Sequence, residues 1–94
     1  MLRVVALVSL IVLGATSAHA DTLCAPRTDL LEYLRDTYAE TPAASGSTAE
    51  GGTVEILVSR RGSWTMVVTA PSGEACARAT GDNWRSLPPP RWSL

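Results

Sequence analysis

The sequence predicts an α+β domain: one N-terminal helix packed on a three- to four-stranded antiparallel meander and tied by one disulfide. Three observations lead there. Residues 28–39 form an amphipathic run. Three alternating runs follow at 53–59, 64–70 and 74–80, separated by short turn signals. Only two cysteines, Cys24 and Cys76, occur in the 94-residue chain.

The first element is a leader, residues 1–20. Arg3 supplies a positive start, and residues 4–13, broken only by Ser9, form an apolar stretch too short to span a bilayer. Ala18-His19-Ala20 puts small residues at the two positions a signal peptidase reads, so the predicted cut lies between Ala20 and Asp21. Asp21, Thr22 and Leu23 then precede Cys24, where a lipoprotein needs small residues next to its cysteine. Cys24 is therefore expected as an internal thiol in an oxidising compartment, periplasmic or secreted, with no membrane anchor left after cleavage.

Residues 21–87 are expected to form a single small domain. All eight basic residues are arginine, one of them Arg3 in the leader, against nine acidic residues, so the processed chain is mildly acidic. It offers no basic patch for nucleic acid and no polybasic segment for a membrane surface. The single histidine, His19, lies in the leader. The processed chain thus cannot build a Ser-His-Asp or Cys-His site, or a zinc site ligated by histidine within one chain. No lysine is available as a nucleophile. No cofactor, metal site or catalytic residue is expected.

Cys24 and Cys76 allow one intramolecular pairing, and small exported domains use such ties to supplement a small core. A redox-active pair would sit close together as Cys-x-x-Cys. These two lie far apart, so a structural Cys24–Cys76 bridge is predicted.

In the helix, Leu30, Leu31, Leu34 and Tyr38 fall on one stripe at 3.6 residues per turn, with Glu32, Arg35, Asp36 and Glu40 mostly off it. Thr28 or Asp29 is the expected cap, and Asp29 with Glu32 resembles a capping box. Thr41 before Pro42 discourages further helix. Residues 42–52 are small, polar and glycine-rich, and read as a loop or a short irregular edge strand around 44–49. The strands follow: Val54, Ile56 and Val58 alternate with Glu55, Leu57 and Ser59, and Trp64, Met66 and Val68 with Thr65, Val67 and Thr69. The run at 74–80 is weaker and alanine-rich. Arg60-Arg61-Gly62 and Pro71-Ser72-Gly73 are turn chemistry, and such short connections make neighbours antiparallel. The helix stripe is expected to meet Val54, Ile56, Val58, Trp64, Met66 and Val68, with the bridge pinning the helix start to the sheet. Pro88-Pro89-Pro90 rules out regular structure, so residues 88–94 are expected to be a mobile tail.

The order of these features resembles a group of small exported proteins of alphaproteobacteria. The matching residues are Cys24, Tyr38 with Glu40, Gly62-Ser63-Trp64-Thr65, Pro71-Ser72-Gly73 leading to Cys76, and Trp84. The resemblance implies architecture alone and brings no activity.

Candidate binding residues are Trp64, an aromatic at a strand start; Arg60 and Arg61 at a hairpin tip; and Trp92 in the tail. For each, core packing, a solvated turn or a frayed end is the bland alternative. Carboxylate pairs for glycoside chemistry, Glu55 with Glu74 or Glu32 with Glu40, are not selected by their spacing. Asp82-Asn83 after Gly81 lacks the ligand spacing of a calcium loop. The functional expectation is a small secreted or periplasmic interaction module without catalysis, whose partner is an envelope or periplasmic protein. The alternative is a small carboxylate-dependent enzyme or inhibitor acting at the cell envelope.

Overall fold

A computed structural model of the chain describes residues 22–91. The leader and its cleavage site, and Trp92 in the tail, lie outside the described residues. The elements in order are β1 (Leu23–Pro26), α1 (Arg27–Tyr38), β2 (Thr41–Ser47), β3 (Thr53–Val58), β4 (Trp64–Thr69) and β5 (Glu74–Gly81). All strands join one antiparallel sheet in the order β1-β5-β4-β3-β2. The class is α+β with one helix, as expected. The strand count is five and the helix is not the first element, because residues 23–26 pair with β5 before α1 begins. Four residues are too few to show a period in the sequence, so β1 leaves no signal of its own.

β2 to β5 form the meander, and β1 closes its far edge. α1 therefore has to carry the chain from one edge of the sheet to the other. Four inter-strand spacings make about 19 Å. Twelve helical residues rise about 18 Å. Helix length and sheet width match, which is why the chain can cross in one straight element.

The three meander turns are built alike. Thr48, Ser59 and Ala70 each donate the backbone N–H to the carbonyl of the residue four positions on, and each accepts at its own carbonyl from the N–H of the glycine three positions on: Gly51, Gly62 and Gly73. Those glycines have φ of 89°, 95° and 98°, the left-handed residue of a three-residue hairpin loop. Gly52 has a separate reason to be glycine, since a Cβ there would overlap the Thr69 carbonyl oxygen.

α1 starts one residue earlier than the periodicity suggests and has no side-chain cap; Pro26 occupies the cap position. The Arg27 N–H instead donates to the Gly73 carbonyl at 3.1 Å, so the β4–β5 turn does the work of the expected Asp29–Glu32 capping box. At the other end Ala39 is left-handed (φ 60°), its N–H bonded to the Arg35 carbonyl.

The core is Leu30 and Leu34 of α1 against Leu57, Val67 and Ala75, with Ala25 and Leu31 beside them. Two expectations are corrected here. Tyr38 is 51% exposed and not in the core: the helix ends on it, and the left-handed Ala39 turns Glu40, not Tyr38, under the helix end. The sheet phase is also reversed. The helix covers Glu55, Leu57, Thr65, Val67 and Thr69, all buried, whereas Val54, Ile56, Val58, Trp64, Met66 and Val68 are half-buried on the other face. Alternation alone points to the more apolar set, but polar side chains occupy the covered face: Glu55 is held by Arg27 of the helix and Thr65 by Glu40 just past its end, while Thr69 Oγ1 has no partner among the described residues.

Cys24 and Cys76 are bonded, and they stand directly opposite each other in the β1–β5 register. The predicted bridge is present, but it joins two strands and does not pin the helix to the sheet. A disulfide fits an oxidising compartment. No described helix is long and apolar enough to cross a membrane.

Candidate functional site

Period two in a strand puts alternate side chains on opposite faces. Register then decides which outward side chains meet. Val54 pairs with Val68, Ile56 with Met66 and Val58 with Trp64. Across β5, Val68 lies opposite Cys76, Met66 opposite Ala79 and Trp64 opposite Gly81, with Arg78 left out of register as a bulge. On β2, Ala44 is opposite Ile56 and Gly46 opposite Val54. The outward face is thus a ridge of large apolar side chains on β3 and β4, flanked by small residues and free of ionisable groups at these positions.

This inverts the usual order. An antiparallel sheet with one solvated face places apolar residues inward and polar ones outward. Here the covered positions of β3 and β4 are Glu55, Leu57, Thr65, Val67 and Thr69, and the outward ones are all apolar. Among the described residues no second layer packs on the outward face.

Of the candidate binding residues, the structure places Trp64 at one end of this face. Its ring lies over Gly81, where a Cβ would come within 2.9 Å of the indole, and 5.9 Å from the ring of Trp84. Its Nε1–H donates to the Asp82 carbonyl at 3.3 Å. Arg60 and Arg61 are exposed at the β3–β4 turn and make no ion pair among the described residues. They line a groove beside the helix end and are not part of the apolar face. Trp92 lies outside the described residues.

Sequence reasoning missed two carboxylate anchors on the covered face. Glu55 is 6% exposed and accepts a two-pronged bond from Arg27, Nε at 2.9 Å and Nη2 at 2.7 Å. That hydrogen bond raises the Arg27 guanidinium above its ordinary value, against the opposing effect of desolvation. Glu40 is 2% exposed and accepts from Ser63 Oγ at 2.8 Å and Thr65 Oγ1 at 2.7 Å. Ser59 and Ser63 join the same network through their hydroxyls at 2.8 Å. So each end of α1 is clamped to the sheet by a buried carboxylate, one through Arg27 and one through Glu40. The available signal was the polar half of each alternating strand.

Beside Glu40 runs a groove of about 640 Å³ between α1 and β5, lined in part by Tyr33, Tyr38, Leu23 and Thr80. The tyrosine rings meet edge-on at 6.1 Å. The neighbouring Tyr33 phenol is the main reason the Tyr38 phenol is held above its ordinary value.

The chemistry open to these groups is limited. Both buried carboxylates have their donors inside the protein. Glu32 is exposed and faces Arg35 at 4.0 Å, and Glu74 is exposed at the start of β5. Glu74 also lies close to the sulfurs of Cys24 and Cys76, but those sulfurs are bonded to each other and carry no thiolate for a metal. Comparison with family models, with curated proteins and with solved structures returned no match for this chain.

Proposed function

We propose that this chain is a small non-catalytic interaction module of the periplasm or the cell exterior, and that it binds through the outward face of its sheet. The observation that supports this is the inverted pattern of β3 and β4. Six outward positions are all apolar, while the positions under the helix are partly polar. Water does not favour that arrangement on a free surface, and contiguous apolar patches of this kind mark contact sites. The disulfide fits the compartment. The two buried carboxylates are engaged in holding the helix, which takes them out of acid–base work.

The test uses residues 21–94 with the bridge formed. A fluorescent dye for apolar surface should bind the folded, dilute protein, and Ile56→Asp should abolish binding while leaving the circular dichroism and melting temperature close to wild type. Loss of fold on Ile56→Asp, with no dye binding to wild type, would show that the face is internal.

A further inference from the structure

We infer that the outward sheet face takes a second copy of this chain, giving a dissociable two-fold dimer in which the two sheets lie face to face. The inference rests on the reading above, that this face is a contact surface, and names what covers it.

Three features point to a second copy. First, Val54, Ile56, Val58, Trp64, Met66 and Val68 on β3 and β4 carry no ionisable side chain, and Glu74 stands only at the β5 flank beside the disulfide, so the apolar part of the face selects no partner of opposite charge. An uncharged apolar surface is its own electrostatic match. Second, its relief is self-complementary. Large side chains stand on β3 and β4, and next to them β2 presents the smaller Thr41, Ala44 and Gly46. A two-fold axis between copies sets each ridge over the other copy's lane of small residues, so that the same patch serves on both sides. Two facing sheets pack about 10 Å apart, a gap that interdigitating side chains of this size fill.

The third feature is area. Five strands and about six residues along each give a footprint of roughly 19 by 20 Å, near 400 Å². Stable, specific interfaces bury about 800 Å² per partner, and obligate ones more. The face is therefore too small for an obligate dimer and of the size of a weak, concentration-dependent one. Trp64 and Met66 supply the kinds of side chain that dominate such contacts. The chain's own C-terminal segment is a poorer occupant. It leaves the sheet at Trp84, whose N–H is bonded to the Gly62 carbonyl, and the following Leu87 is 81% exposed.

Sedimentation equilibrium of residues 21–94, with the bridge formed, across roughly micromolar to millimolar concentration reads the proposal directly. The expected result is a monomer–dimer equilibrium that Ile56→Asp weakens by about tenfold or more, with unchanged circular dichroism. Should Ile56→Asp not fold, Met66→Gln is the second variant and should also weaken association. Removal of residues 88–94 should leave it unaltered. A single monomeric species over the whole range overturns the proposal, as does a dimer indifferent to both face variants. Association lost on tail removal instead assigns the face to the tail and also overturns it. Dye binding separates the two readings: a monomer that binds dye refutes only the dimer, and a monomer that binds none refutes the contact surface as well.

Discussion

Thr65 Oγ1 donates to Glu40 Oε1 at 2.7 Å, and this bond joins the residue just past the helix to a strand 25 positions further along the chain. Ser63 Oγ holds the other carboxylate oxygen at 2.8 Å. The Tyr38–Glu40 and Gly62–Thr65 segments, separate in the sequence, thus meet in space at the end of the core. A charge-assisted hydrogen bond is stronger than a neutral one, and a buried acceptor left without its donor costs about 1–3 kcal/mol. Thr65→Val should therefore destabilise by that amount in urea unfolding. Glu40→Ala removes the acceptor for two hydroxyls and should cost more. If neither moves the midpoint, the network does not hold the helix end.

The second prediction tests the phase of the sheet. Leu57 is fully buried under the helix, while its neighbour Ile56 faces outward and is only half-buried. Leu57→Ala should cost about 2–5 kcal/mol. Ile56→Ala, measured on dilute protein, should cost clearly less. The reverse order would mean that the helix covers the other face.

That phase shows what was legible in the sequence and what was not. The helix, the three strands 53–58, 64–69 and 74–81 and the bridge could be read because each rests on a local period, a turn signal or an element count. The face each strand turns to the helix could not. Alternation gives two sets of residues without saying which is covered, and apolarity ranks Val54-Ile56-Val58 above Glu55-Leu57-Ser59. What overrides that ranking is tertiary: Arg27 reaching Glu55, and Glu40 reaching Thr65, bonds between residues 28 and 25 positions apart. Local pattern carries no record of such partners. The outward face, which we take as the contact surface, is therefore visible in the sequence as a set of residues, but its apolarity alone points it to the core.

The third prediction concerns the turn after the helix. Ala39 has φ 60°, a conformation in which a Cβ is strained and glycine is not. Ala39→Gly relieves the strain but loosens the unfolded chain, and the balance should be a gain of about 0.5–1 kcal/mol. A fall in the thermal midpoint would show that the Ala39 methyl group makes contacts worth more than the strain.

The fourth is a pH dependence. The Tyr38 phenol is held above its ordinary value chiefly by the Tyr33 phenol beside it. A group whose folded-state value is raised stabilises the fold below the ordinary phenol range and loses that contribution as pH rises through the folded value. Tyrosinate absorbance should thus show one phenol titrating late in the folded protein, and Tyr33→Phe should return Tyr38 towards the ordinary range. Both rings are about half exposed, at 45% and 51%, so the effect on the melting temperature should be small. A Tyr38 titration that stays just as late in Tyr33→Phe would exclude the Tyr33 phenol as the cause.

The last prediction concerns the bridge. Cys24 and Cys76 are 52 positions apart and paired in register between β1 and β5. In the loop-entropy account a tie of that span constrains the unfolded chain by about 4 kcal/mol, so Cys76→Ser should destabilise by roughly 2–5 kcal/mol. The local consequence follows from what else holds β1. The strand has four residues, of which only Ala25 packs towards the core, and the others are exposed. The helix after it keeps its own anchors, Leu30 and Leu34 in the core and Arg27 on Glu55. In Cys76→Ser under native conditions, amide exchange should rise most at residues 23–26 and at the β5 positions they pair with. Exchange at 30–34 and in β3 and β4 should follow only the global loss of stability. Uniform loss of protection across the sheet, with β1 no worse than β4, would show that the edge strand holds without its bridge and that the bridge acts on the unfolded chain alone.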